Sequence, residues 1–212
     1  MRLTDFWTSP EWYAYERAVG DEPGTRARLL ASATWSTRVL DLSLSEAELW
    51  KGVRKSYHSI VNGLEKDHAF AIVRAGDGTV FLRFARDVHR AAAGRVTRAF
   101  ASWQCQAEWL GRCAECWLAM RRPEPEAIFE PVGFLYAVVT GDTSYYFSAA
   151  ALEPSVGHAL QWHAIKALKA AGVRYYEIGW MNKPDDTDKE RAIAFAKAGF
   201  GGVDVKLSEV YG

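Results

Sequence analysis

Apolar positions recur with a helical period in the first half of the chain and with a strand period after its middle. Ser9-Pro10-Glu11 carries the signals of a helix start, Ser at the N-cap and Pro at the first helical position. Trp12, Tyr13 and Tyr15 follow, and a loop from Gly20 to Gly24 ends the segment. Trp35 to Leu42 reads as a strand with Trp35, Thr37, Val39 and Asp41 on one side. Ser45 and Glu48 match a capping box. Leu49, Val53, Tyr57, Ile60 and Leu64 continue at three- and four-residue spacing, which predicts one amphipathic helix over 46–64 with Arg54, Lys55 and His58 off its stripe. A strand over 69–73 closes at Gly76-Asp77-Gly78. Phe81, Phe84, Ala85 and Val88 predict a helix up to Gly94, and Phe100, Trp103, Ala107 and Leu110 a second helix ending at Gly111.

Beyond residue 112 the pattern predicts strands over 114–121, 129–139 and 144–151, the last two joined by the hairpin signal Gly141-Asp142. A helix over 157–171 stops at Gly172. A strand over 173–178, a polar loop over 182–188, a helix over 188–198 stopped by Gly199, and a final strand from Val203 to Val210 complete the chain. This succession predicts an α+β or mixed α/β fold with a central, mostly antiparallel sheet. The reading is one domain over 1–212, with a helical preface over about 1–112 and a sheet-rich core over about 113–212.

Composition narrows the function classes. With 212 residues, 49% of them apolar and 25% charged, the chain is an ordinary folded domain. Lys plus Arg and Asp plus Glu both number 26, so no global basic field draws DNA or an anionic membrane, and a polyanion must be held by a local patch. No run of apolar residues is long enough to span a bilayer, and no leader is visible, which predicts a cytoplasmic protein without a membrane partner. The three cysteines, Cys105, Cys113 and Cys116, read as reduced thiols. Cys113 and Cys116 have neither a second Cys pair nor a His pair at ligand spacing, so no metal site is expected. His158 and His163 diverge around one helix and do not form a metal pair. No nucleophile elbow, Walker loop or HExxH pattern occurs. Nine Trp, nine Tyr and ten Phe are a marked aromatic content, mostly expected in the core.

Candidate binding residues cluster in three places. Arg95 and Arg98 bracket Thr97 between two helices, where planar guanidinium groups suit a phosphate or carboxylate, and Arg54 and Lys55, near Tyr57, add cations. Tyr146 and Ser148 share one face of a strand. Trp103 and Trp180 are candidates to stack on a ring, with Asn182 beside the latter.

The segment Tyr175-Tyr-Glu-Ile-Gly179, a polar loop, then Phe195-Ala-Lys-Ala-Gly-Phe-Gly-Gly202 resembles the ending of the FemAB-type transferases, aminoacyl-tRNA-dependent members of the GNAT superfamily. Glu177 and Gly179 match the family's acidic strand; Lys197, Phe200, Gly201 and Gly202 match its lysine-glycine motif. Ala196 stands where the family often has Phe. The opening Phe6 to Trp12, the basic helix Trp50 to Lys66 and the helical stretch His89 to Gln106 are similar to the family's earlier parts. Classical members have two GNAT-like lobes and often a coiled-coil insertion; this chain resembles one catalytic lobe with a helical preface.

The resemblance implies a fold in which two strands splay and seat an acyl group. It implies transfer of an amino acid from the acceptor end of aminoacyl-tRNA to a small amine, in cell-surface glycan or natural-product biosynthesis, with no permanently bound cofactor. Lys197 is then the cation facing the oxyanion. Glu177, read at a strand end, and His89 are candidate proton acceptors. In acyl-CoA enzymes of the superfamily a helix N-terminus holds pyrophosphate. The equivalent stretch here is Pro154 to Ala159, where Gly157, His158 and Ala159 fit but Pro154 removes an N–H donor. Two alternatives stand beside this reading: an acyl-CoA-dependent N-acetyltransferase, and a non-catalytic GNAT-like binding lobe.

Overall fold

The computed structural model describes residues 5–181 and 183–211. After a 3-10 turn over Phe6–Thr8 come α1 (Pro10–Val19), α2 (Thr25–Ser32), β1 (Ser36–Asp41), α3 (Glu46–Gly52), α4 (Lys55–Glu65), β2 (Phe70–Arg74), α5 (Gly78–Ala93) and α6 (Phe100–Trp109). Then follow β3 (Ala114–Arg121), β4 (Glu130–Thr140), β5 (Thr143–Ala151), α7 (Pro154–Ala170), β6 (Tyr175–Met181), α8 (Asp188–Ala198), β7 (Val203–Lys206) and α9 (Leu207–Tyr211). The seven strands are ordered β2-β3-β4-β5-β6-β1-β7. The pairings of β1, β2 and β3 are antiparallel, while β5 and β6 run parallel. The fold class is therefore the mixed α/β, mostly antiparallel sheet that the pattern predicts.

Local chemistry accounts for most boundaries. Ser9 Oγ accepts from the Trp12 N–H and starts α1. Ser45 and Glu48 form the predicted capping box of α3, and Thr187 and Glu190 form another at α8. Asp77 accepts from the N–H groups of Thr79 and Val80, which starts α5 three residues before Phe81.

Contacts group the chain into two compact units, each discontinuous. One contains residues 1–54, 139–146 and 168–212; the other contains 55–138 and 147–167. In the first, Val39 and Val210 pack with Tyr175, Val205 and Tyr211. In the second, the Phe81 ring meets those of Trp103, Phe134 and Tyr136 at 5.8, 6.3 and 5.1 Å, and the Tyr136 hydroxyl donates to the Gln106 carbonyl at 2.7 Å.

The structure departs from the sequence reading in four elements. The helix expected over 46–64 is two, because Val53 is extended and the Arg54 N–H donates to the Gly199 carbonyl at 2.7 Å instead of continuing the helix. Residues 25–32, unassigned by pattern, form α2. The strand expected to end at 178 runs to Met181, so Glu177 is its third residue and not its end. The strand expected over Val203 to Val210 turns helical at Leu207. Leu207 and Val210 are three apart, a helical spacing that places both in the core.

Candidate active site

The parallel pairing of β5 with β6 is short. It joins Thr143 to Tyr175, Ser144 to Tyr176 and Tyr145 to Glu177, and then stops, although β5 continues to Ala151 and β6 to Met181. On its other edge β6 pairs with β1, where Val39 faces Glu177 but Arg38 faces Gly179. Ile178 is thus an extra residue, a β-bulge. The following glycine takes φ +107°, a conformation that side chains disfavour.

The bulge sets the faces of the sheet. Thr37 and Val39 lie on one side of β1. Their partners Trp180 and Glu177 share that side, although three residues apart, because residues directly opposite in an antiparallel pair share a face. Thr37 Oγ1 donates to Glu177 Oε1 at 2.7 Å, the Tyr211 hydroxyl donates to Oε2, and Glu177 is 1% exposed. Tyr145, the last β5 partner of Glu177, meets the Trp7 ring edge-on at 4.8 Å.

Lys197 comes from the last turn of α8. Its ammonium lies 4.6 Å from the centroid of the Tyr146 ring, and a Cβ built on Gly179 would come within 2.5 Å of its Nζ. Tyr146 is the residue just past the end of the β5–β6 pairing on β5, and Gly179 lies two residues past it on β6. Among the described residues the ammonium donates no hydrogen bond and forms no ion pair. Burial pushes its pKa down to about 8, with Glu177 opposing the shift. Burial pushes Glu177 up to about 7, against the hydrogen bonds from Tyr211 and Thr37 and the charges of Lys197 and Arg26. The two groups therefore act on each other through their fields, without touching. Burial and the Glu177 charge also raise the Tyr145 and Tyr211 phenols.

The second unit carries its own cavity, of about 280 Å³, lined by Arg86, His89, Arg90, Arg95, Thr97, Arg98, Phe100 and Trp103 among others. Arg98 donates to Ser148 Oγ at 2.9 Å and lies 5.5 Å from the Trp103 ring. The Thr97 hydroxyl is 3.3 Å from His89 Nδ1, and the His89 ring packs on Trp103 at 5.3 Å. The structure thus brings His89, Arg95, Arg98, Trp103 and Ser148 together in the second unit; in the first unit Tyr146 lies by Lys197, while Glu177 and Trp180 share the opposite sheet face.

The remaining candidates are placed differently. Arg54 sits in the break between α3 and α4, its guanidinium 3.9 Å from the Phe195 ring and donating to the Phe195 carbonyl at 3.2 Å. Lys55 is exposed at the start of α4. Tyr57 is buried, its ring 4.1 Å from that of His158. His158 Nδ1 is also 2.7 Å from the Pro154 carbonyl, and Ala159 is buried. Gly157 lies in the first turn of α7, which Pro154 opens, so the N–H missing there is one of those that would face a pyrophosphate. Asn182 lies outside the described residues. Cys116 is buried in β3, with its thiol pushed up by burial.

No family model matches the sequence, and no curated protein matches it. Solved structures do. FemX superposes with a TM-score of 0.67 at 15% identity, over 81% of this chain and 59% of FemX. The chain folds like FemX. L-PGS from Bacillus licheniformis matches with a TM-score of 0.53 at 13% identity, over 80% of this chain and 58% of that one. The C-terminal domain of an Agrobacterium fabrum protein assigned as a lysylphosphatidylglycerol synthetase matches with 0.59 at 11% identity, over 80% and 57%. The chain therefore spans less than three fifths of the length of FemX and of the other two. The FemX-like fold agrees with the resemblance carried by Glu177, Gly179 and the Lys197 to Gly202 segment.

Sequence reading missed Thr37, Tyr145 and Tyr211 around Glu177, and Arg26. Each comes from a segment far from residue 177 in the chain, so no local spacing marks it. One signal was available: a glycine inside a strand pattern, as at 179, points to a bulge or a close approach.

Proposed function

We propose that this protein is an acyltransferase that forms an amide bond, taking an amino acid from aminoacyl-tRNA and giving it to a small amine. The observation that carries the reading is the Lys197 ammonium at the end of the β5–β6 pairing, half-buried and without an acceptor among the described residues. A cation held there, where β5 and β6 no longer pair with each other, suits the oxygen that becomes negative when an acyl carbonyl is attacked.

In the proposed reaction the neutral amine attacks the carbonyl carbon of the aminoacyl ester. The new C–N bond forms, the carbonyl oxygen takes the negative charge beside Lys197, and collapse breaks the bond to the ribose oxygen. The amine gives up one proton and the leaving ribose oxygen takes one. Tyr146 packs under the Lys197 ammonium and orients it. Glu177 does not fit the role of a base on the amine, since both its oxygens are engaged and it lies on the opposite sheet face from Gly179 and Tyr146. Its role is to keep Lys197 protonated through its field. The cluster of Arg86, Arg90, Arg95 and Arg98 supplies the local basic patch that a polyanionic donor requires. His89, in that cluster, is assigned to binding beside Thr97 and Trp103.

Three features favour tRNA over acyl-CoA: the FemX-like fold, the Arg cluster, and Pro154 at the start of α7. The test is mass spectrometry of amine pools incubated with charged tRNA and, separately, with acyl-CoA. An amide product that needs charged tRNA supports the proposal; a product formed only with acyl-CoA replaces it with an N-acetyltransferase. The acceptor's place in glycan or natural-product assembly follows from the identity of that product.

A further inference from the structure

Lys197 rides on a helix that no apolar face holds. Every residue of α8 is exposed or half-buried, so burial does not fix where its last turn sits. An α-helix leaves its last carbonyls without partners inside the helix. Here two arginines from distant segments reach the carbonyls at that end. Arg54 reaches them twice: its guanidinium donates to the Phe195 carbonyl at 3.2 Å, and its main-chain N–H donates to the Gly199 carbonyl at 2.7 Å. One guanidinium nitrogen of Arg38 donates to the carbonyls of Ala198 and Gly201, each at 3.3 Å, while its Nε donates to Asp204 at 2.7 Å. Lys197 stands inside the stretch so held, between Phe195 and Gly201.

Both arginines are themselves fixed. The Arg54 guanidinium lies 3.9 Å from the centroid of the Phe195 ring. Arg38 faces Asp204 in the register of β1 with β7. Gly201, at φ +84°, brings its backbone against the end of α3, since a Cβ there would come within 3.1 Å of the Gly52 carbonyl oxygen. The break at Val53 belongs to the same arrangement. The apolar stripe through Leu49, Val53 and Tyr57 suits one long helix, and stopping it forfeits helical hydrogen bonds. The stop lets the Arg54 N–H reach Gly199 instead. Guanidinium groups at the C-terminal end of a helix also suit its dipole, and their planar fork spans acceptors that a point charge does not.

We propose that Arg54 and Arg38 are positioning residues: together they clamp the last turn of α8 and hold the Lys197 ammonium beside Tyr146 and Gly179. Neither arginine touches the acyl group or the amine. They act through the place they give to Lys197, and their effect on transfer rests on the proposed role of that lysine in amide formation. The clamp itself stands without that role.

The test reads the Lys197 ammonium directly, by carbon NMR of the whole chain with the lysine Cε isotopically labelled; the Lys197 signal is the one lost in Lys197→Arg. In the native protein burial should keep its midpoint at about 8. A loosened turn lets water reach the ammonium, so in folded Arg54→Lys and Arg38→Lys the midpoint should rise to about 9 or higher. Both variants keep the cation, and Glu177 stays in place, so loss of charge does not produce that rise. Single-turnover transfer should slow about tenfold or more, with tRNA affinity unchanged within about twofold. A midpoint unmoved in both variants overturns the proposal, whatever the melting temperature does. A midpoint that moves in Arg54→Gln and Arg38→Gln but not in the lysine variants also overturns it, and makes the arginines a source of charge only. A native midpoint at the ordinary 10.5 overturns it as well. A midpoint that moves in a protein forming no amide supports the clamp and removes the proposed function.

Discussion

The Lys197 ammonium fills the space where a side chain at residue 179 would begin. A Cβ on Gly179 would lie 2.5 Å from Nζ, closer than atoms approach, and the backbone there holds φ at +107°. The glycine of the strand motif and the lysine of the helix motif are thus one arrangement: the first makes room for the second.

Gly179→Ala is therefore expected to displace the ammonium and strain the bulge at once. Transfer activity should fall by at least about a hundredfold, while stability drops by about 1–3 kcal/mol. Single-turnover assays beside denaturant melts measure the two effects; activity retained within about twofold contradicts the arrangement.

Activity should have an alkaline limb. Lys197 loses its proton at about 8, and only the ammonium stabilises an oxyanion, so the rate within the bound complex should fall above that pH. Glu177 raises the Lys197 pKa, so Glu177→Gln should move the limb below 8. Lys197→Arg should carry it upward, because a guanidinium keeps its proton. A pH profile of single-turnover rates reads all three; a limb that stays in place in Glu177→Gln contradicts the coupling.

Glu177 also makes stability depend on pH. Its folded pKa of about 7 lies above the ordinary 4.5, so the folded state holds the proton more tightly. The stability contributed by the protonated carboxyl is fully present below about 4.5 and is lost as pH rises through about 7. The full loss corresponds to about 3 kcal/mol. Wild type minus Glu177→Gln, measured by denaturant unfolding from pH 4 to 8, should show a decline across that window; a flat difference contradicts it.

The second unit's cluster makes a separate prediction. Arg98→Ala removes the donor to the buried Ser148 hydroxyl and one of the four arginines around the cavity. Binding of tRNA should weaken several-fold, and the slope of log affinity against log salt should fall by about 1. An unchanged slope means that this arginine does not meet a phosphate.

The sequence carried the elements well where a local rule decides them. The capping box at Ser45, the Gly141-Asp142 turn and the stop at Gly172 all appear where the residues place them. It failed where a distant contact decides. Val53 continues an apolar stripe, yet the chain leaves the helix there because the Arg54 N–H finds the Gly199 carbonyl, far along the chain. Val203 to Val210 alternates until the spacing of Leu207 and Val210 is satisfied by a helix. The candidate site divides in the same way. Lys197, Glu177 and Gly179 were visible through a motif, and Tyr146 through strand alternation. The partners of Glu177 are assembled only by the β1–β6 register and the packing of α2 and α9.

In the proposed reaction the ammonium of Lys197 faces an acyl carbonyl during amide formation. Single-turnover transfer from charged tRNA to an amine, followed by mass spectrometry in the native protein and in Lys197→Ala, tests it most directly. The expected result is an amide product in the native protein and a rate reduced by about a hundredfold or more in the folded variant. Product formed at the native rate by Lys197→Ala would contradict it.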